Sequence, residues 1–395
     1  MKEKASLFSR STNRRSFLKN GTVAAGAAAV GAGLLTDRSF AFAQEENDGA
    51  PITKGDIAIL KFLQALEQVE DDLWRQYAEL GGIVDAEFSG LTTPNGPYTQ
   101  SLLLLDGDMP QYIHDNTDDE ISHQRFLGNY LASKGVKSAD LSPFRVLPSS
   151  QADGAVKTAK RLTNLTQLTI DTSFWTRYRS ITNPDFDPNA KFAQAVPTLN
   201  TGMHAAIPRT NADTANQDLI NAIAFTAGFH FAFIEQGGSS LYPTLAQKVT
   251  NLEVLRILLS IGPSETMHFQ TWQDKAGNAN QGNPDLTVFD PVNGSTVTFT
   301  DLHVALGESA NETDNAGNVL QANLIMPEPT HFLDEKFGPV AIIRPTTTKL
   351  NGAVAAVQGF VNDNLFLNPK TGQNTAIVGT LMELAEEADA TRRLF

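Results

Sequence analysis

The chain has 395 residues, 41% hydrophobic and 19% charged, a composition typical of a globular protein able to bury one large core or two domains. Its formal net charge of −14 argues against binding to nucleic acid or to anionic membrane surfaces. Cysteine is absent, which excludes disulfides, thiolate-held iron–sulfur clusters, c-type haem and a cysteine nucleophile.

The N-terminal segment, residues 1–43, resembles a bacterial twin-arginine signal peptide. The stretch "RRSFLK" precedes an apolar run rich in Gly and Ala, and "AFA" offers small residues for cleavage before Gln44. The run from Gly21 to Leu35 is too short and too weakly apolar for a bilayer span. We therefore expect the folded protein to be exported to the periplasm or secreted, with no stable membrane span once the signal is removed.

Four long amphipathic helices are predicted after a polar linker at 44–54. Asp56 is the expected N-cap of the first helix and Gly81 its stop, and Gly262-Pro263 is expected to kink the fourth helix or restart it. The predicted ranges are 56–80, 110–133, 216–246 and 251–277.

The segments between and after these helices have a different character. A long connection, 134–215, joins the second and third helices, and one further helix is predicted within it at 154–180. Residues 278–395 form a C-terminal extension, with a strand or hairpin around "STVTFTDLHV" and two late helices near 351–364 and 374–393.

Two of the long helices carry an acid and an imidazole three residues apart on an apolar stripe. Glu120 and His123 lie in the second helix, and Glu265 and His268 repeat the spacing in the fourth. Side chains at i and i+3 point the same way from a helix, so each pair can reach one cation. Burying an unpaired carboxylate is costly, and a divalent metal offsets that cost.

The other two long helices each place a glutamate in a similar apolar setting. Glu235 lies in the third helix and Glu67 in the first, where Glu70 competes with it for the same role. The chain order is then Glu, Glu-x-x-His, Glu, Glu-x-x-His, which is the ligand set of di-iron and di-manganese carboxylate bundles. The candidate metal ligands are Glu67, Glu120, His123, Glu235, Glu265 and His268.

Simpler interpretations remain open for each of these residues. A Glu-x-x-His pair can be a solvated helix face, and His230 is expected to pack in the core because it faces away from Glu235. Glu328 and His331 in "MPEPTHF" have the same spacing, but the flanking prolines forbid a regular helix, so this pair is rejected as a site.

Three of the helices carry motifs that resemble the ferritin-like superfamily, especially the exported ferritin-like-domain proteins called desiccation-related. The motifs are "LEQVEDDLW", "IEQGGSSLY" and "IGPSETMHF". The resemblance covers 55–277 and implies an all-α fold, a ferritin-like four-helix bundle with 134–215 as an inserted connection and 278–395 outside it. It also favours Glu67 over Glu70 as the ligand of the first helix.

The ligand set implies two iron or two manganese ions, with Glu120 and Glu265 bridging them and no haem or iron–sulfur cluster. Glu67 with His123, and Glu235 with His268, are then terminal ligands. The expected chemistry is that of an oxidoreductase acting on O2 or peroxide, as a ferroxidase, peroxidase or catalase. The alternative is a structural or stress-protective envelope protein with a non-catalytic bundle. The only partner expected is a small oxidant or none, and a homo-oligomer is compatible with the sequence.

Overall fold

A computed structural model describes residues 51–83, 94–178, 193–305 and 352–394 of the chain. The signal peptide at 1–43 and the rejected Glu328/His331 pair lie outside the described residues. From Ile52 onward the described residues belong to one compact unit, which is mostly helical with small antiparallel sheets. The predicted all-α class is therefore correct at this level.

The four long predicted helices are present, and each begins and ends within two residues of its expected bounds. A short helix, α2 (Gly96–Leu102), lies between the first two and was not predicted. The long helices are α1 (Lys54–Gly81), α3 (Met109–Ser133), α5 (Gln217–Ala246) and α6 (Leu252–Gly277).

One expectation about a helix end was wrong, and the restart expected as one alternative at Gly262-Pro263 does not occur. The N-cap of α1 is Thr53 rather than Asp56, which forms the other half of a capping box: Asp56 N donates to Thr53 Oγ1 and Thr53 N to Asp56 Oδ2, both at 3.1 Å. Helix α6 continues through Pro263 without interruption. Leu259, four residues earlier, is exposed, so water can solvate the carbonyl that Pro263 leaves without an amide donor.

The helix predicted at 154–180 was also wrong over most of its length. Of the described residues in this range, 154–178, only α4 (Ser173–Tyr178) is helical. Lys160–Arg161 instead forms β2, which pairs with β1 (Leu147–Pro148). The backbone amides of Leu162 and Thr163 donate to Asp72 Oδ2 of α1 at 2.9 and 3.0 Å. These bonds tie the segment to α1 in an extended form, which competes with helix formation.

The C-terminal part contains the predicted hairpin and shorter forms of the two late helices. The hairpin pairs β3 (Leu286–Asp290) with β4 (Ser295–Phe299) antiparallel. The remaining elements are α7 (Leu302–Ala305), α8 (Ala353–Asn362), β5 (Leu367–Asn368), β6 (Gln373–Asn374) and α9 (Ile377–Ala390).

The most extensive helix packing joins α1 to α3 and α5 to α6. Side chains from three of these helices meet in an aromatic cluster. Trp74 of α1 stacks on Trp272 of α6 with ring centroids 5.4 Å apart, and Phe231 of α5 contacts both rings. Helix α9 packs on another face of α1, so α1 is buried on nearly all sides. None of the described helices is both long and apolar enough to cross a membrane.

Candidate metal centre

The structure brings all six predicted ligands together inside the four long helices. They form two overlapping groups, each with four ligand atoms that all lie within 4.8 Å of one another. Glu120 and Glu265 belong to both groups. The first group adds Glu67 and His123, and the second adds Glu235 and His268.

The dimensions of each group suit one transition-metal ion. Ligand bonds from oxygen or imidazole nitrogen to such a metal are about 2.1 Å, so atoms on opposite sides of the ion lie roughly 4.2 Å apart. The 4.8 Å limit is close to this value, and a small contraction around an ion would close each shell. The buried acid–imidazole groups could therefore hold metal ions.

Burial distinguishes the two kinds of ligand. The four glutamates are between 0% and 2% exposed, whereas each histidine side chain retains 11% exposure. The imidazole rings lie side by side with centroids 6.4 Å apart. The histidine side, between α3 and α6, is therefore the part of the group closest to solvent.

The ring of His123 directs its Nδ1 atom at three carboxylates. Glu120 Oε2 and Glu265 Oε1 lie 3.2 Å from this nitrogen, and Glu67 Oε2 lies 3.5 Å away. On the other side of the ring, Nε2 lies 3.2 Å from Ser264 Oγ. The Ser264 hydroxyl already donates to the Ile261 carbonyl at 2.6 Å, so its oxygen must accept from Nε2–H. Neutral His123 then presents an unprotonated Nδ1 to the carboxylates.

His268 is held in the same sense from the opposite helix. Its Nε2 lies 3.0 Å from Asp119 Oδ2, and an ionised carboxylate can only accept a hydrogen bond, so Nε2 carries the hydrogen. Its Nδ1 lies 3.2 Å from Glu120 Oε1 and 3.3 Å from Glu235 Oε2 but forms no hydrogen bond within the described structure. Both histidines thus aim a lone pair into the acidic group, an arrangement that requires a proton or a metal cation between them and the carboxylates.

Two polar residues position the carboxylates. Asn116 Nδ2 donates to Glu120 Oε1 and to Glu235 Oε1, both at 3.0 Å, and Asn116 Oδ1 accepts from Trp272 Nε1 at 2.6 Å. The Tyr242 hydroxyl donates to Glu67 Oε1 in a short hydrogen bond. These contacts fix one oxygen of Glu120, Glu235 and Glu67 and leave the other directed inward.

Several inward atoms lack any hydrogen-bond partner among the described residues. Glu265 contributes both of its carboxylate oxygens to this set, and Glu67 and Glu235 each contribute Oε2. Buried polar atoms in proteins are nearly always paired, because an unpaired one loses its hydration without compensation. A cation within the group would satisfy these oxygens together, so the residues fit a metal site.

The carboxylate pKa values show what the concentrated negative charge does when protons alone balance it. Burial and the neighbouring Glu235 raise the pKa of Glu120 to about 7, and burial with the charge of Glu120 raises the pKa of Glu265 well above its ordinary value. Burial also opposes ionisation of Glu67, but the facing His123 imidazole and the hydrogen bond from Tyr242 outweigh it and lower the pKa of Glu67.

The imidazoles respond in the opposite direction. Burial alone would lower their pKa values, but the facing carboxylates of Glu120, Glu265 and Glu67 raise that of His123. Glu235 and Asp119 raise the pKa of His268 in the same way. Without metal, the group therefore takes up protons to offset its charge.

Glu70, the competitor of Glu67, belongs to neither four-residue group. It is 5% exposed, and burial together with the charges of Glu67 and Glu120 raises its pKa well above its ordinary value. Ionisation of Glu70 is therefore disfavoured beside the group, whereas Glu67 faces His123 directly.

Asn116, Ser264 and Asp119 belong to the site but were not singled out from the sequence. Asn116 precedes Glu120 by one helical turn, so its position on the ligand stripe was a usable indication. The contacts of Ser264 and Asp119 cross between α3 and α6, and no spacing within one helix encodes such contacts.

Gly238 of α5 allows Glu265 to enter the group. A Cβ at this position would lie 2.8 Å from Glu265 Oε2, whereas a Cβ on the adjacent Gly237 would meet nothing within 4 Å. The glycine therefore serves the approach of a ligand, because its backbone is helical and needs no special conformation.

Comparison of the chain with protein-family models, with curated proteins and with solved structures found no match in any of the three.

Proposed function

We propose that the protein is an exported, ferritin-like di-metal carboxylate protein whose two iron or manganese ions react with O2 or peroxide. The observation that carries the proposal is the overlap of two four-residue groups through Glu120 and Glu265. Glu67 with His123 and Glu235 with His268 then complete one ion each.

The donor set favours these metals. It contains oxygen and nitrogen ligands only, and the chain has no thiolate to offer. Carboxylates with imidazole suit Fe(II) and Mn(II), which also change oxidation state. Four carboxylates and two neutral imidazoles carry four negative charges, which two divalent ions balance.

The packing of the helices supports a bundle of the ferritin-like kind. Helices α1 and α3 form one closely packed pair and α5 and α6 the other, and the ligands of both pairs point at each other. This is the helix arrangement on which di-iron and di-manganese carboxylate sites are built.

The protein groups have definite roles in such a reaction. Bound metals would supply open coordination positions and electrons for O2 or peroxide. Ser264 and Asp119 hold the two imidazoles in the tautomer that leaves Nδ1 free. The aromatic residues beneath keep water out on that side, and the exposed edges of the histidines leave a path for a small oxidant.

Export is proposed from the sequence of residues 1–43, whose paired arginines suit a route that carries folded, metal-loaded proteins. Replacement of Arg14 and Arg15 by lysine should retain the protein in the cytoplasm of a bacterial host. Normal export of this variant would count against the twin-arginine assignment.

A second candidate function is structural, and one observation favours it. The six ligands come from four helices and have little exposure, so bound ions would crosslink the fold whether or not they turn over a substrate.

The two candidates separate in one experiment on protein exported with its own signal. Iron and manganese content is measured by mass spectrometry, followed by O2 and peroxide consumption. We expect about two metal ions per chain and measurable turnover, both lost in Glu120→Gln/Glu265→Gln. Glu328→Gln, at the rejected motif, is the matched control and should keep both. Metal without turnover would favour the structural function, and protein without metal would contradict both.

A further inference from the structure

A second buried polar group lies outside the candidate metal centre. The Tyr77 hydroxyl of α1 is 2.7 Å from His230 Nδ1 of α5, and His230 Nε2 is 3.1 Å from Oδ2 of Asp363, just after α8. All three side chains are at most 1% exposed. The hydrogen bonds of the metal centre do not include them, and a hydrophobic core does not need them.

The order of these groups suits proton transfer from the phenol to the imidazole. Burial lowers the pKa of His230 to about 3, so the resting imidazole is neutral and can accept a hydrogen bond. Asp363 Oδ2 lies close to Nε2 without a hydrogen bond between them, whereas Nδ1 is hydrogen-bonded to the Tyr77 hydroxyl, which places the phenol proton against a neutral imidazole nitrogen. Burial also raises the pKa of Asp363, so burial opposes charge on both Asp363 and His230.

A continuous aromatic path joins this triad to the metal centre. Tyr77 lies 5.8 Å from Trp74, measured between ring centroids, and Trp74 stacks on Trp272 at 5.4 Å. Trp272 Nε1 donates to Asn116, which in turn donates to Glu120 and Glu235. Phe231 packs against Tyr77, Trp74 and Trp272 and keeps the path dry.

Along this path Tyr77 is the residue that can release a proton to a base. Trp74 Nε1 has no hydrogen-bond partner among the described residues, so an oxidised Trp74 has no acceptor for its proton. Trp272 Nε1 faces an amide oxygen, which is a weak base. Tyr77 faces an imidazole nitrogen. An electron vacancy on either tryptophan therefore moves to Tyr77.

We propose that Tyr77 is a redox-active tyrosine that is oxidised by one electron through Trp74 and Trp272, with His230 as its proton acceptor. The phenol O–H bond breaks, its proton passes to His230 Nδ1, and a neutral tyrosyl radical remains. The electron passes to a one-electron oxidant at the metal centre, which is reduced by one equivalent. The natural oxidant rests on the proposed function, namely the metal site after reaction with O2 or peroxide.

The test measures the radical by electron paramagnetic resonance in two arms. In the first, metal-loaded protein is mixed with peroxide and freeze-quenched. In the second, metal-free protein is oxidised by a flash-excited ruthenium polypyridyl with persulfate, which needs no metal site. We expect a tyrosyl signal that narrows with ring-deuterated tyrosine and disappears in Tyr77→Phe.

The controls address folding and assignment. Tyr112→Phe removes a phenol that also contacts Trp272, with centroids 6.3 Å apart, and should leave the signal unchanged. His230→Gln should slow formation of the radical by roughly 100-fold, because it removes the proton acceptor. Ring-deuterated tyrosine in the unmodified sequence identifies the radical as a tyrosyl, and Tyr77→Phe compared with Tyr112→Phe assigns it to Tyr77.

A signal in the flash arm alone supports the Tyr77 assignment and counts against the proposed reaction of the metal site. A signal that survives in Tyr77→Phe, or the absence of any tyrosyl signal in both arms, would overturn the inference.

Discussion

The imidazole of His268 is held by Asp119, whose Oδ2 atom lies 3.0 Å from Nε2 on the side of the ring away from the carboxylates. This contact selects the tautomer in which Nδ1 carries a lone pair, the form that a metal requires. Asp119 is thus a positioning residue that acts on the metal through His268.

Replacement of Asp119 by alanine should weaken metal binding without abolishing it. Loss of such a partner typically lowers metal affinity 10- to 100-fold. Because Asp119 is exposed, we expect its loss to lower the affinity about tenfold, at the lower end of this range. Competition with a chelator of known affinity measures the change. Asp118→Ala, on the exposed neighbouring position, is the control; equal affinities for the two variants would contradict the positioning role.

Gly238 offers a test of the close approach between α5 and Glu265. Gly238→Ala places a methyl group 2.8 Å from Glu265 Oε2 and should displace this carboxylate from both four-residue groups. Overpacking of this kind costs about 1–3 kcal/mol. We expect lower metal content and a lower midpoint of thermal unfolding for the metal-loaded protein.

Gly237→Ala provides the matched control, because its methyl group meets no atom within 4 Å. Alanine favours the helix more than glycine by about 1 kcal/mol, so this variant should be unchanged or slightly more stable. If both variants behave alike, Gly238 has no special relationship with Glu265.

Glu67 and Glu70 lie one turn apart and should differ sharply. Glu67→Gln removes a ligand that faces His123 and should cost one metal ion per chain. Glu70→Gln replaces an acid that belongs to neither four-residue group and whose ionisation burial disfavours, so both ions should remain. The number of metal ions per chain is measured on the two purified variants. If only Glu70→Gln loses metal, Glu70 rather than Glu67 is the ligand from α1.

Metal affinity should rise with pH across neutrality. Burial and Glu235 raise the pKa of Glu120 to about 7, so below this pH a proton occupies a carboxylate that the metal must displace. Raised pKa values at Glu265, His123 and His268 act in the same direction. Each competing proton weakens the apparent affinity about tenfold per pH unit below its pKa.

Calorimetric titrations with Mn(II) at pH 6, 7 and 8, in buffers of different ionisation enthalpy, measure affinity and proton release together. We expect proton release on binding and a steep gain in affinity from pH 6 to pH 8. Affinity that does not depend on pH would show that the carboxylates and imidazoles are not the ligands.

The sequence predicted the ligands because their spacing encodes helix geometry. Glu120 with His123 and Glu265 with His268 each share one face at i and i+3, and the lone glutamates Glu67 and Glu235 lie on similar apolar stripes. The bounds of the four long helices were predicted to within two residues, because Gly and Asn mark helix ends. Convergence of the six side chains then followed from the order of the helices along the chain.

The connection between α3 and α5 could not be read in the same way. Residues 154–172 were predicted to be helical, but Asp72, some ninety positions away in the chain, accepts from the amides of Leu162 and Thr163. Such long-range hydrogen bonds override local propensity and leave no periodic trace. The contacts of Ser264 with His123 and of Tyr242 with Glu67 were hidden for the same reason.

Two metal ions that share Glu120 and Glu265 would be visible in anomalous X-ray diffraction. Data are recorded from crystals of the exported protein across the iron and manganese absorption edges. We expect two peaks, one among Glu67, Glu120, His123 and Glu265 and one among Glu120, Glu235, Glu265 and His268. Metal-loaded crystals with no peak at these residues, or with peaks elsewhere in the chain, would contradict this expectation.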